Sequence, residues 1–154
     1  MGKRMAWFVL LAVAQAALSA EWGYVAPVIG KTPAGASIKG TVEIDTTSVV
    51  RSGELVKAWF RQSYKKDVVN PVAPTKTLRR IKLQYGFECE LHKRALLRIL
   101  YEDAAGETLY SASYPETGAK FEDVIPDTTG EAWLREACKI AIMQRAAGTT
   151  PAKH

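Results

Sequence analysis

The two cysteines of this 154-residue chain are the residues whose possible chemistry is clearest, because the chain has no others and the two could form a disulfide with each other. Cys89 lies in a stretch of alternating polar and apolar residues, whereas Cys138 lies in a stretch with helical periodicity. A pair of this kind favours a disulfide if the chain is exported, and two buried free thiols are the alternative. A zinc site is not expected, since neither His92 nor His154 has ligand spacing to a cysteine.

No pattern in the sequence assembles a catalytic site, and we predict no catalytic residue, no metal ligand, no cofactor and no enzymatic activity. Residues 30–32 resemble the end of a phosphate-binding loop, but the chain has Val25 where that loop needs glycine. His92 would have to be the base of any Ser-His-Asp arrangement, yet it lies in a predicted turn. Three acids cluster around another predicted turn, where we expect them to be solvated: Glu102, Asp103 and Glu107.

Basic residues around one tryptophan form the strongest candidate binding surface. Alternation along two predicted strands places them opposite the apolar residues. We call this group the cationic face: Lys57, Trp59, Arg61, Arg80 and Lys82. Such a surface suits a polyanion or a protein partner, and a solvated sheet face without a partner is the alternative. The net charge of +5 includes Lys3 and Arg4 near the N-terminus, so the rest of the chain is only mildly basic and does not demand a nucleic acid as partner. We predict a protein partner and no nucleic acid.

Residues 1–20 have the order of a cleavable secretory signal: two basic residues, an apolar run over residues 6–18 and a small-residue junction before Glu21. The apolar run is shorter than the roughly 20 residues that span a bilayer, and a retained N-terminal anchor is the alternative. No cysteine stands at the junction, so we do not expect a lipoprotein. We predict a mature chain without a transmembrane span that is periplasmic, secreted or associated with the cell surface.

The remaining sequence predicts an antiparallel sheet of about five to six strands. The clearest alternation covers residues 78–91 and places five residues on one face: Ile81, Leu83, Tyr85, Phe87 and Cys89. Further strands are predicted at residues 22–29, 41–45, 55–64, 94–102 and 108–113. Residues 30–40 and 67–77 are rich in glycine or proline and are predicted to be loops.

One helix is predicted to run to about Ala146, because Thr128 and Glu131 have the spacing of a capping box. Its apolar stripe contains five residues: Leu134, Ala137, Cys138, Ala141 and Ile142. The sheet face and this stripe each supply one cysteine, so we predict a Cys89–Cys138 disulfide between sheet and helix. The expected fold is α+β, with the helix packed on one face of the sheet, in a single domain over residues 21–146 before a disordered tail at 147–154.

Residues 42–59 resemble the opening of the surface-adhesin protein E family of proteobacteria. The shared pattern is a short strand ending in aspartate, a serine-containing turn, an Arg-x-Gly turn and a tryptophan-bearing strand. Residues 85–89 resemble the family's strand with an aromatic residue before cysteine, and residues 130–138 resemble its C-terminal helix with a closing cysteine. The resemblance covers about residues 41–139. The chain departs from the family by lacking a lipidation cysteine, by carrying Phe121 where many relatives have tryptophan, and by a longer loop at residues 30–40.

The resemblance implies the same α+β domain and helix-to-sheet disulfide that the residues alone predict. Some members are outer-membrane lipoproteins that bind host matrix proteins such as vitronectin and laminin. The resemblance therefore implies an exported, non-enzymatic binding module that contacts host matrix or envelope proteins. A periplasmic inhibitor of an enzyme such as lysozyme is an alternative, but lysozyme is commonly basic and so is this chain. A small hydrolase is the weakest alternative.

Overall fold

The computed structural model of the chain describes residues 19–31 and 35–148. The predicted signal peptide and the predicted tail lie almost entirely outside the described residues. Within them, the chain forms one antiparallel sheet and one α-helix. The elements are β1 (Trp22–Lys31), β2 (Ser37–Asp45), β3 (Val50–Ser52), β4 (Leu55–Val69), β5 (Thr77–Glu88), β6 (Lys93–Glu102), β7 (Thr108–Ser113), β8 (Glu122–Asp123) and α1 (Thr129–Ala146).

Six strands form the main path of the sheet in the order β1-β2-β4-β5-β6-β7, while the short strands β3 and β8 pair with β4 and β6. This arrangement confirms the predicted α+β fold with a C-terminal helix. The predicted loop at residues 30–40 is partly wrong, since the β1–β2 pairing extends to Lys31 opposite Ser37. Gly40 belongs to β2, where it pairs with Tyr64 of β4, and a Cβ atom at this position would overlap the Ser63 carbonyl oxygen. The glycine thus marks a close approach of two strands and not a loop.

The core lies between one face of the sheet and α1, and four aromatic rings form its centre. We call them the aromatic cluster: Phe60, Tyr85, Phe87 and Trp133. The ring of Trp133 on α1 stacks on Phe60 of β4, with centroids 5.1 Å apart, and lies 5.3 Å from the ring of Tyr85. Phe87 of β5 contacts Phe60 edge to face at 5.9 Å. Stacking of this kind adds to the apolar area that the rings bury, so the cluster holds the helix against the sheet.

The helix begins at the predicted position. The Thr128 side chain accepts a hydrogen bond from the Glu131 backbone N–H, and the Glu131 carboxylate accepts one from the Asp127 N–H. The predicted stripe is correct for four residues but wrong for Ile142, which is 61% exposed, whereas Trp133 and Ile140 are buried. No helix among the described residues is long and apolar enough to cross a membrane.

The predicted disulfide is present in the structure. Cys89 and Cys138 are bonded, and their Cα atoms are 6.0 Å apart. Cys89 lies in the turn directly after β5, which ends at Glu88 and not at the predicted residue 91. Cys138 lies on the buried side of α1. The bond therefore ties the end of a central strand to the middle of the helix.

Candidate functional site

The five residues of the cationic face lie on one side of β4 and β5. Val56, Ala58 and Phe60 of β4 are buried in the core, so alternation directs the residues between them to the side away from α1. Arg61 lies directly opposite Lys82 in the pairing of the two strands, and Arg80 lies opposite Ser63, two positions farther along β4. The structure thus places the five predicted residues on one face of two neighbouring strands.

Each cation of this face has a carboxylate partner. Arg61 contacts Glu43 of β2 at 2.9 Å, and its guanidinium lies 4.3 Å from the centre of the Trp22 ring. Lys57 contacts Glu116, in the segment after β7, at 2.8 Å. About a quarter of the Lys57 and Arg61 side chains is exposed. The face is therefore a set of oriented, half-buried ion pairs and not a free positive patch.

Glu102 is the shared carboxylate partner of the other two cations of the face. Its carboxylate lies 2.6 Å from Lys82 Nζ and 3.3 Å from Arg80 Nε, and its side chain is only 8% exposed. The expectation that Glu102 belongs to a solvated acidic turn is wrong, since it is the buried last residue of β6 and lies opposite Arg80. Asp103 and Glu107 do form that turn, through hydrogen bonds between them.

Replacing Glu102 by glutamine is expected to lower the free energy of unfolding by about 1–3 kcal/mol, because a neutral amide cannot satisfy two partly buried cations. Urea unfolding followed by circular dichroism measures the change. The matched control is E107Q in the exposed turn, which should change stability by less than about 0.5 kcal/mol. Equal unfolding midpoints for the two variants would contradict a neutralising role for Glu102.

A cavity of about 500 Å³ opens on the other side of the sheet, between β6 and the segment that leads to β8. We call it the loop pocket, and six residues characterise its walls: Tyr85, Arg94, Leu96, Tyr114, Lys120 and Glu122. Burial is the main cause that raises the pKa of the Tyr85 phenol; Arg94 lowers this pKa and Glu122 raises it. The Tyr85 hydroxyl is therefore protonated at neutral pH and can donate a hydrogen bond.

Arg94 is the central cation of the loop pocket. Its guanidinium carbon lies 5.2 Å from the Tyr85 ring centre and 5.9 Å from that of Trp133. It also packs on the first turn of α1, where a Cβ atom at Gly130 would come within 2.5 Å of Arg94 Nη1. Arg94 forms no ion pair and no hydrogen bond with a side chain in the described parts of the chain.

Alternation along the strands does not predict this pocket, because the register between β5 and β6 changes beside it. Simple alternation along β6 groups Ala95 with Ile99, which leaves Arg94 on the opposite face. The structure has a bulge between Gln84 and Tyr85, after which Tyr85 lies opposite Leu96. The bulge moves Leu96 and Arg94 to the side of α1. The segment that forms the outer wall has no periodicity from which its position could be predicted.

The possible catalytic base His92 lies in the exposed turn between β5 and β6, with a backbone φ of 52°. Its carbonyl oxygen accepts a hydrogen bond from the Val124 N–H. Its side chain has no hydrogen-bond or ion-pair partner among the residues that the structure describes. In the same residues, no group of three or more His, Cys, Asp and Glu side chains is arranged to hold a metal ion.

Comparison with known proteins gives a family match and several similar solved structures. A family model described as surface-adhesin protein E matches residues 31–139. A structure of Haemophilus influenzae protein E is 19% identical and aligns over 64% of this chain and 76% of that chain, with a TM-score of 0.47. Its crystal form II is 15% identical, with coverages of 72% and 87% and a TM-score of 0.48. No curated protein matches the chain.

Proposed function

The chain belongs to the surface-adhesin protein E family, and on this premise we propose that it is an exported, non-enzymatic binding module for a protein of the host matrix or the cell envelope. The family match over residues 31–139 is the observation that carries the proposal. The bond between Cys89 and Cys138 supports export, because disulfides persist in oxidising compartments.

We assign the partner contacts to the cationic face. Tryptophan and arginine are the residue types that most often dominate the energy of protein interfaces. Trp59 and Arg61 stand close together on β4, and Glu43 and Trp22 hold the Arg61 side chain in place. A side chain that is already ordered loses little conformational entropy when a partner binds, which favours affinity.

The ion pairs of the face also determine how binding should respond to salt. Three carboxylates compensate four cations, so the face attracts an acidic partner only weakly at long range. Contacts at the surface are screened over a Debye length of about 8 Å at physiological ionic strength. We therefore expect binding to weaken moderately with added salt.

The test measures binding of the mature protein, beginning at Glu21, to a panel of immobilised matrix proteins that includes vitronectin and laminin. The double variant R61Q/R80Q should lose about tenfold or more in affinity for the partner that is found. R79Q is the matched control, since Arg79 is the sequence neighbour of Arg80 and pairs with Asp67 on the other side of β5.

Three outcomes would contradict this proposal. Equal affinities of R61Q/R80Q and R79Q would exclude the cationic face as the contact surface. Inhibition of lysozyme without binding to the panel would favour the inhibitor alternative. A hydrolytic activity that is lost in H92A would contradict a non-enzymatic module.

A further inference from the structure

The charge pairing of Arg94 differs from that of the other half-buried arginines. Among the described residues four arginines are half-buried, and three of them contact a carboxylate. Arg94 is the fourth: the rings of Tyr85 and Trp133 and the first turn of α1 at Gly130 approach its guanidinium, but no carboxylate of the described residues contacts it. Partial burial removes water from a charged group, and cation–π contacts replace only part of that hydration. An anion in the loop pocket would provide the missing partner.

The other charges of the loop pocket favour a monoanion. Lys120 adds a second cation to the wall, and Glu122 adds one carboxylate directly opposite Arg94 in the β6–β8 pairing. The three charges together leave an excess of one positive charge, and Glu122 would repel a dianion such as phosphate more strongly than a carboxylate. The guanidinium fork also matches the two oxygens of a carboxylate.

The shape and the apolar walls indicate what carries that carboxylate. A volume of about 500 Å³ lies within the range of small-molecule sites. The rings of Tyr85 and Tyr114 and the side chain of Leu96 provide apolar surface on the walls, and aromatic faces pack well against another flat ring.

We propose that the loop pocket binds a small aromatic monocarboxylate, with its carboxylate at Arg94 and Lys120 and its ring against Tyr85 and Tyr114. Such a group occurs as a free acid or as the carboxyl-terminal aromatic residue of a peptide. The loop pocket lies against Tyr85, Arg94 and Leu96 on the side of the sheet that carries α1, and it uses none of the five residues of the cationic face, although Glu116 of its outer-wall segment contacts Lys57. The proposal therefore goes beyond the proposed function and does not depend on it.

The test is a nuclear magnetic resonance titration of the mature protein with four probes: phenylacetate, N-acetylphenylalanine, N-acetylphenylalanine amide and inorganic phosphate. Both carboxylates should cause saturable shifts at residues of the loop pocket, whereas the amide and phosphate should bind at least about tenfold more weakly. Equal affinities of the two carboxylates indicate a free acid, and tighter binding of N-acetylphenylalanine indicates a peptide terminus.

Variants locate the site. R94Q should weaken phenylacetate binding about tenfold or more. K120Q changes an exposed wall position and should weaken it about threefold to tenfold. R98Q is the matched control on the same strand, outside the pocket, and should change affinity by less than about twofold.

The proposal is wrong if neither carboxylate gives saturable shifts at millimolar concentration, or if the amide or phosphate binds as tightly as the acids. It is also wrong if K120Q and a folded R94Q both retain full affinity. Should R94Q not fold, an unchanged affinity of K120Q together with shifts outside the pocket would overturn it.

Discussion

Replacing Cys89 and Cys138 together by serine is expected to lower the free energy of unfolding by about 4 kcal/mol. The two residues are 49 positions apart in the sequence. Closing a loop of this size lowers the conformational entropy of the unfolded chain, and this raises the free energy of unfolding by about 4 kcal/mol. Typical domains are stable by only about 5–15 kcal/mol, so the variant should lose a large share of its stability.

The position of the bond predicts which part of the fold loosens first. The disulfide ties α1 to the end of β5, and without it the helix is held only by packing, chiefly through the aromatic cluster. The strands keep their ladder hydrogen bonds in either case. Hydrogen exchange should therefore become faster in α1 before it does in β4 and β5.

Urea unfolding with and without reductant gives the measurement and its control. Reductant should destabilise the native protein and leave the double serine variant unchanged. The prediction fails if the native protein contains two freely alkylatable thiols before reduction. It also fails if, without reductant, the native protein and the double serine variant unfold at the same urea concentration.

The sequence predicts those parts of the fold that follow from local pattern. Polar and apolar residues alternate from Ile81 to Phe87, and the structure places Leu83, Tyr85 and Phe87 on the side of α1, opposite three buried residues of β4. The start of α1 follows from the capping box: the Thr128 side chain accepts a hydrogen bond from the Glu131 N–H, and the Glu131 carboxylate accepts one from the Asp127 N–H just before the helix. Both cysteines could be assigned to the core for the same reason.

The partners of the cationic face could not be predicted, because they come from distant parts of the chain. Glu43 belongs to β2, Glu102 to β6, and Glu116 to the segment after β7. Which of them meets which cation depends on strand order and register, and neither is encoded in a short stretch of sequence. The positions of the five residues were thus predictable, whereas their ion pairs were not.

The loop pocket could not be predicted from the sequence for a related reason. A single extra residue in β6 moves Arg94 to the side of α1, and alternation cannot show where such a bulge occurs. The burial of Trp133 was missed because helical periodicity weights all apolar residues equally. A large ring contributes far more buried area than an isoleucine at the end of the helix, so the structure buries Trp133 and exposes Ile142.

Truncation of Trp133 should accordingly cause one of the largest losses of folding stability in this protein. Replacing it by alanine is expected to lower the free energy of unfolding by about 3–5 kcal/mol, the usual range for a buried aromatic residue. The residue is 4% exposed, and its ring stacks on Phe60 with an angle of 16° between the ring planes. Truncation would leave a cavity between sheet and helix and remove one of the two rings that approach Arg94.

Two control variants separate the loss of packing from other effects of changing α1. W133F keeps an aromatic ring on Phe60, and it loses no hydrogen bond because the Trp133 indole N–H has no acceptor among the described residues. It should therefore cost much less than W133A. M143A alters an exposed position on the same helix and should change stability by less than about 0.5 kcal/mol. Urea unfolding of all three variants tests the order, and a W133A protein no less stable than M143A would show that the helix is held by the disulfide and not by the aromatic cluster.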